Sequence, residues 1–141
     1  MVPADLDRRV AALRRSSIFA ELDEPFLARL AEGMTDVELP AGHVLIEARM
    51  PGAGLYVIED GAVTVHPRSG DPVDLGPGAV VGELALLTRD GTRTARVQAK
   101  TPLRCLALDR PSFQRALEDE PRLAVALLQV AVDRLAAQLP S

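Results

Sequence analysis

The feature that most constrains this chain is a series of short apolar segments between Thr35 and Leu108, separated by turn residues. Strands are predicted near residues 35–39, 44–48, 54–59, 62–67, 72–75, 79–81, 94–99 and 103–108. Eight short strands at this spacing are typical of a β-sandwich or barrel. No long helical pattern interrupts them, so a parallel sheet built from βαβ units is not expected.

Three turn signals divide the strand region. Asp60-Gly61, between two apolar segments, predicts a hairpin. Ser69-Gly70-Asp71 predicts another turn, and Gly76-Pro77-Gly78 a third. The turns imply that neighbouring strands run antiparallel.

Helical patterns flank the strands on both sides. Leu6, Val10 and Leu13 recur at helical spacing, and Asp23-Glu24-Pro25 predicts the start of a second helix. Residues 111–118 and 121–139 form two further predicted helices. The last has two apolar stripes, the second being Leu128, Val132, Leu135 and Leu139. A two-fold mate would cover the second stripe, and a wider contact with the N-terminal helices is the alternative.

Length and composition bound the class of protein. The 141 residues fit one domain, with helices over 1–34, strands over 35–108 and helices over 109–141. The net charge of -4 argues against direct nucleic-acid binding. One cysteine and two histidines provide no thiolate metal cluster and no His-x-His pair. We find no signal peptide and no apolar segment of membrane-spanning length, so a cytoplasmic protein without membrane contact is expected.

One segment departs from the strand pattern and carries candidate chemistry. It reads Val80-Val81-Gly82-Glu83-Leu84-Ala85-Leu86-Leu87, then five residues, then Arg93-Thr94-Ala95. Gly82 allows close backbone approach, and one helical turn over 84–87 would present N–H groups to an anion. Arg93 could pair with the same anion, and Glu83 could accept a hydrogen bond from a sugar hydroxyl. The pattern fits a sugar-phosphate site, and a capped helix start with a solvated arginine is the alternative.

This segment resembles the phosphate-binding cassette of cyclic-nucleotide-binding domains, the family of the catabolite activator protein, kinase regulatory subunits and cyclic-nucleotide-gated channels. A second stretch is similar upstream, with Leu45-Ile46, Gly52, Leu55-Tyr56-Val57-Ile58 and Gly61. The resemblance spans residues 17–139 and implies a mainly β fold with flanking helices. In it an eight-stranded β-roll of the jelly-roll type is followed by two helices. Arg49-Met50 departs from the family, which usually has glycine and an acidic or amide residue there.

The resemblance also implies roles for individual residues. Glu83 would accept a hydrogen bond from the ribose 2′-hydroxyl, and Arg93 would pair with the cyclic phosphate. Thr94 would hydrogen-bond the phosphate through its hydroxyl. Gly82, Leu84 and Ala85 would supply backbone N–H groups or close approach. The implied base contacts are Val65 and Leu75 as an apolar wall, with Arg134 and Gln138 from the last helix.

The function that follows is reversible binding of cyclic AMP or cyclic GMP, without cofactor or catalysis. Ligand binding would reposition the C-terminal helices and act on an unknown effector or on a homodimer formed through the last helix. Two alternatives stay open. The roll is either a scaffold for protein interaction that binds no ligand, or the regulatory fragment of a larger channel, enzyme or transcription factor.

Overall fold

The structure, a computed structural model, describes residues 3–47, 54–67, 70–82 and 95–136. Its helices are α1 (Pro3–Arg14), α2 (Glu24–Glu32), α3 (Arg110–Asp119) and α4 (Pro121–Ala136). Its strands are β1 (Thr35–Leu39), β2 (Val44–Ile46), β3 (Gly54–Asp60), β4 (Val63–Pro67), β5 (Val73–Leu75), β6 (Val80–Val81), β7 (Ala95–Ala99) and β8 (Leu103–Asp109). Each predicted strand region contains a strand, and the mainly β fold with flanking helices is confirmed.

The strands form two antiparallel sheets of four strands each, and together these make the roll. The first sheet has the order β1-β8-β3-β6 and the second β2-β7-β4-β5. Side chains from both sheets meet inside the roll in an aliphatic cluster that includes Ile46, Ile58, Val63, Val97 and Cys105. We call this cluster the roll interior.

The hairpin predicted at Asp60-Gly61 is wrong. The strands on either side do not pair with each other, because β3 lies in the first sheet and β4 in the second. The turn itself exists, with Gly61 at φ +90°, but it carries the chain from one sheet to the other. By contrast, β4 and β5 do pair antiparallel around the turn predicted at Ser69-Gly70-Asp71, of which Ser69 lies outside the described residues.

A second crossing lies directly against this turn and explains why glycine is needed there. The chain between β7 and β8 also changes sheets, and its Thr101 hydroxyl accepts a hydrogen bond from the Ala62 N–H at 3.0 Å. A Cβ on Gly61 would lie 2.2 Å from the carbonyl oxygen of Pro102. The two crossings therefore pack backbone against backbone, which only glycine permits.

The helices cover the outer face of the first sheet. Leu55, Val57, Leu106 and Leu108 point away from the roll interior and join a second cluster with residues of all four helices. We call this the helix-side cluster. Strands β3 and β8 are thus buried on both faces, which fits their continuous apolar segments, whereas β1 at the edge of the sheet is mostly exposed.

Helix α4 buries one of its two apolar stripes. Leu123, Leu127 and Ala131 are buried in the structure, whereas Leu128, Val132 and Leu135 are 62%, 49% and 52% exposed. The wider contact with the N-terminal helices does not cover these three residues. Leu139 lies outside the described residues. None of the described helices is long and apolar enough to cross a membrane.

An ionic network fixes α1 to the roll. Arg8 Nη1 donates to both carboxylate oxygens of Glu59, whose side chain is only 6% exposed, and Arg8 Nη2 donates to Asp36 at 3.0 Å. Arg9 donates to Asp36 and to the carbonyls of Ala31 and Met34 at the end of α2. Burial disfavours a charged Asp36, but these hydrogen bonds outweigh it and hold the pKa of Asp36 below its ordinary value.

Cys105 is a packing residue. It is fully buried in the roll interior. Burial, assisted by the nearby Glu59 carboxylate, raises the pKa of its thiol to about 12. The thiol therefore stays protonated and unreactive at neutral pH.

We expect Arg8→Met to destabilise the fold by about 3 kcal/mol, because it leaves the buried Glu59 carboxylate without its partner. Arg8→Met/Glu59→Leu should cost less than the sum of the two single changes. The matched control is Arg104→Met, since the pair of Arg104 with Glu38 is largely exposed and should contribute about 0–1 kcal/mol. Urea unfolding measures all four variants, and equal losses for Arg8→Met and Arg104→Met would contradict this account.

Candidate functional site

The chain leaves β6 through a turn that only glycine adopts without strain. Val80 and Val81 are buried and pair with Val57 and Tyr56 of β3. The next residue, Gly82, has φ +91°. A side chain at this φ would be strained, so the backbone geometry requires glycine here, and the close approach to a ligand predicted for Gly82 stays a prediction.

Six residues of the predicted site lie outside the described part of the chain. These are Glu83, Leu84, Ala85, Arg93, Thr94 and Gln138. The described chain stops at Gly82 and resumes at Ala95, the first residue of β7. These two ends belong to different sheets of the roll.

The predicted apolar wall does form one surface. Val63 and Val65 of β4 lie opposite Leu75 and Val73 of β5, so all four side chains share one face of the second sheet. Val65 and Leu75 are half-buried and pack against the roll interior. The wall therefore continues the apolar core to the surface.

Val73 belongs to this wall and was missed by the sequence analysis. It is opposite Val65 and is 52% exposed, the largest exposure of a bulky apolar residue outside α4 among the described residues. The alternation of Val73, Asp74 and Leu75 was the available signal, because residues two apart in a strand share a face.

The wall lies beside the end of the cassette. Val65 pairs with Val97 of β7, and Pro67, two residues on, pairs with Ala95. The exposed part of the wall is thus only two residue positions from the point where the described chain resumes.

Charged side chains of the second sheet lie on its other face. The Lys100 ammonium and the Thr64 hydroxyl both donate to the Asp74 carboxylate. These hydrogen bonds hold the pKa of Asp74 below its ordinary value. In the described ranges, no group of three or more His, Cys, Asp or Glu side chains could hold a metal ion.

Helix α4 contacts the strand that leads into the cassette through Arg134. Its Nη2 donates to the carbonyl oxygen of Val80 at 2.5 Å, and the contact is partly buried. Val80 lies two residues before Gly82, so the predicted base-contacting arginine is beside the strand that leads into the cassette.

The described residues of the predicted site therefore provide an apolar surface, formed by Val65, Val73 and Leu75, and a glycine turn at Gly82. The three side chains of the wall have no hydrogen-bonding group.

Comparisons with known proteins agree with this architecture. The family model for the cyclic nucleotide-binding domain matches residues 36–120. A CRP-like cAMP-activated global transcriptional regulator of Mycobacterium tuberculosis is 30% identical over 128 residues, which cover 87% of this chain and 57% of that protein. The chain thus spans little more than half the length of this curated relative.

Two solved structures share the fold at substantial sequence identity. The N-terminal domain of a transcriptional regulator from Streptomyces coelicolor A3(2) is 36% identical, with a TM-score of 0.69 and coverage of 90% of this chain and 91% of that one. The regulatory domain of Toxoplasma gondii PKA, crystallised with cAMP, is 27% identical, with a TM-score of 0.73 and coverage of 84% and 47%. Because the family model matches more than half of the 141 residues, the chain belongs to the family of cyclic nucleotide-binding domains.

Proposed function

We propose that this chain is a sensor module that binds cyclic AMP or cyclic GMP reversibly and performs no chemistry. The observation that carries the proposal is the position of Gly82. In a chain of this family, its positive φ opens the cassette, and the cassette ends at Ala95, two residue positions along β7 from Val97, the partner of Val65 in the apolar wall of Val65, Val73 and Leu75. Such a site offers close backbone approach to a phosphate and an apolar surface to a purine.

The roles of the cassette residues are part of this proposal. Arg93 pairs with the cyclic phosphate, and Thr94 donates its hydroxyl to the same group. Glu83 accepts a hydrogen bond from the ribose 2′-hydroxyl. Backbone N–H groups of Gly82, Leu84 and Ala85 complete the anion site, as at other helix N-termini.

The purine lies against the wall in this proposal. Burial of an apolar ring favours binding by about 25 cal/mol per Å² and hardly distinguishes adenine from guanine. Gln138, after the last described helix, is the candidate for contact with the base, since the Arg134 guanidinium donates to the Val80 carbonyl. We therefore propose that both nucleotides bind, and that polar residues of the cassette between Gly82 and Ala95 determine any difference in affinity between them.

The signal leaves the module through α4, and a second copy of this chain is the proposed partner. The exposed residues Val125, Leu128, Val132 and Leu135 follow the 3-4-3 spacing of a heptad seam. Valine occupies both a positions and leucine both d positions, the combination that favours two-stranded parallel coiled coils. The residues flanking the seam are uncharged: Ala124, Gln129, Ala131 and Ala136.

We expect Arg93→Ala to weaken the binding of cyclic AMP and cyclic GMP by about 2–5 kcal/mol, by analogy with the loss of one partner of a buried charge pair. Arg93→Lys should recover only part of this, because lysine lacks the planar fork. The matched control is Arg96→Ala, whose exposed side chain pairs with Glu47. Calorimetric titration measures all of them. Absence of binding by the unaltered chain would favour the ligand-free scaffold, and unchanged binding by Arg93→Ala would refute the cassette assignment.

The role of Glu83 can be tested on the ligand itself. We expect 2′-deoxy cyclic AMP to bind about 1–3 kcal/mol more weakly than cyclic AMP, because a buried acceptor is left without its donor. Glu83→Gln should discriminate much less between the two. Competition titration gives both ratios. Equal binding of the two ligands by the unaltered chain would assign Glu83 to the cap of a helix instead.

The proposed dimer requires the exposed stripe of α4. We expect Leu128→Glu to convert the chain to a monomer, because the change places a charge at the centre of an apolar seam. Gln129→Glu is the control, since flanking positions tolerate charge. Sedimentation equilibrium over a range of concentrations shows both. A chain that is monomeric at every concentration would assign the stripe to a different partner.

A further inference from the structure

Among the described strands, β6 lies at an edge of the first sheet, and one of its buried carbonyls has no partner in another described strand. In the ladder with β3, the Ala79 carbonyl accepts from the Ile58 N–H at 2.9 Å. Backbone groups of successive residues in an antiparallel strand point to opposite sides. The carbonyl of the next residue, Val80, therefore points away from β3 towards the free edge, although Val80 is fully buried.

Arg134 supplies the donor that this carbonyl needs. Its guanidinium comes from the last described turn of α4, 54 residues away in sequence, and reaches the edge of β6. A buried carbonyl without a donor is costly, and a charged donor makes one of the stronger hydrogen bonds in proteins. The hydrogen bond from Arg134 therefore fixes β6 along the edge that does not pair with β3.

The turn before β6, at Gly78, also contacts the loop after α1. The Gly78 carbonyl accepts from the Ser17 N–H at 3.1 Å, and the Gly78 N–H donates to the Ile58 carbonyl at 2.9 Å. A Cβ on Gly78 would lie 2.6 Å from the carbonyl oxygen of Arg15. The loop after α1, strand β3 and helix α4 therefore all contact the five residues that end at Gly82.

We infer that Arg134 is a positioning residue for the nucleotide site: through the Val80 carbonyl it fixes the strand that presents Gly82 to the ligand. This inference rests on the proposed function. Because Gly82 begins the cassette, a displacement of β6 moves the backbone that approaches the phosphate. Pre-organising that backbone lowers the cost of binding for any nucleotide, whatever its base.

The same bond makes α4 part of the site. Arg134 faces the roll, whereas the heptad stripe of α4 faces away from it. A partner that shifts α4 would pull on the Val80 carbonyl and so on Gly82. Ligand and partner are then linked through one hydrogen bond, without contact between them.

The test compares Arg134→Leu, which removes every donor, with Arg134→Lys, which keeps one. We expect Arg134→Leu to weaken cyclic AMP and cyclic GMP alike by about tenfold, and Arg134→Lys to stay within about threefold of the unaltered chain. Arg122→Leu is the matched control on the same helix, because Arg122 is exposed and pairs with Glu120 and Asp23. It should bind both nucleotides normally.

Two results would overturn the inference. A loss that differs by more than about threefold between the two nucleotides would make Arg134 a direct base contact instead. Unchanged affinity of Arg134→Leu for both would show that the Val80 bond does not position the site.

A measurement without ligand separates this inference from the proposed function. We expect amide hydrogen exchange in Arg134→Leu to quicken at Val81 and Gly82, while the amides of β8 keep their protection. If the unaltered chain binds neither nucleotide, the proposed function fails, and the exchange experiment still tests the hold on β6. Unchanged exchange at Val81 and Gly82 would overturn the positioning role.

Discussion

The burial of strands β3 and β8 on both faces is the constraint on which the rest of the structure depends. One face of these strands closes the roll interior, and the other carries the helix-side cluster. Each layer removes apolar surface of the same two strands from water, and this burial is the main favourable contribution to folding. The helices are therefore part of the core of the domain. The N-terminal helices are further attached to the roll by the ion pair of Arg8 with the buried Glu59 carboxylate.

The second sheet has a different task. Its outer face is polar, with Thr64, Asp74 and Lys100 in a hydrogen-bonded set. Its inner face is apolar, and that face runs past the edge of the core to Val65 and Val73. An apolar surface that extends from the core to solvent can be covered by an apolar part of a ligand. Placing the wall on the less buried sheet leaves it accessible.

Several features of the fold could be read from local patterns. The strand positions and the flanking helices depend on apolar alternation and on turn residues, which are local properties. Gly82 could be singled out because a glycine next to an acidic residue and a short apolar turn is a local signal, and its φ of +91° agrees with that reading. The apolar wall of Val65 and Leu75 came from the family resemblance, and the pairing of β4 with β5 brings the two side chains to one face.

The sequence by itself determined which segments are strands, which helices flank them and where the backbone needs glycine, because these depend on residues a few positions apart. Only the tertiary structure decided which strands pair. Asp60-Gly61 has the local signal of a hairpin, yet the chain passes there from one sheet to the other and packs closely against the crossing at Pro102. The partner of Arg134 was equally hidden, since the Val80 carbonyl is 54 residues away and becomes an acceptor only when β6 is an edge strand. Both depend on backbone groups that are distant in sequence, and side-chain patterns along the chain do not encode them.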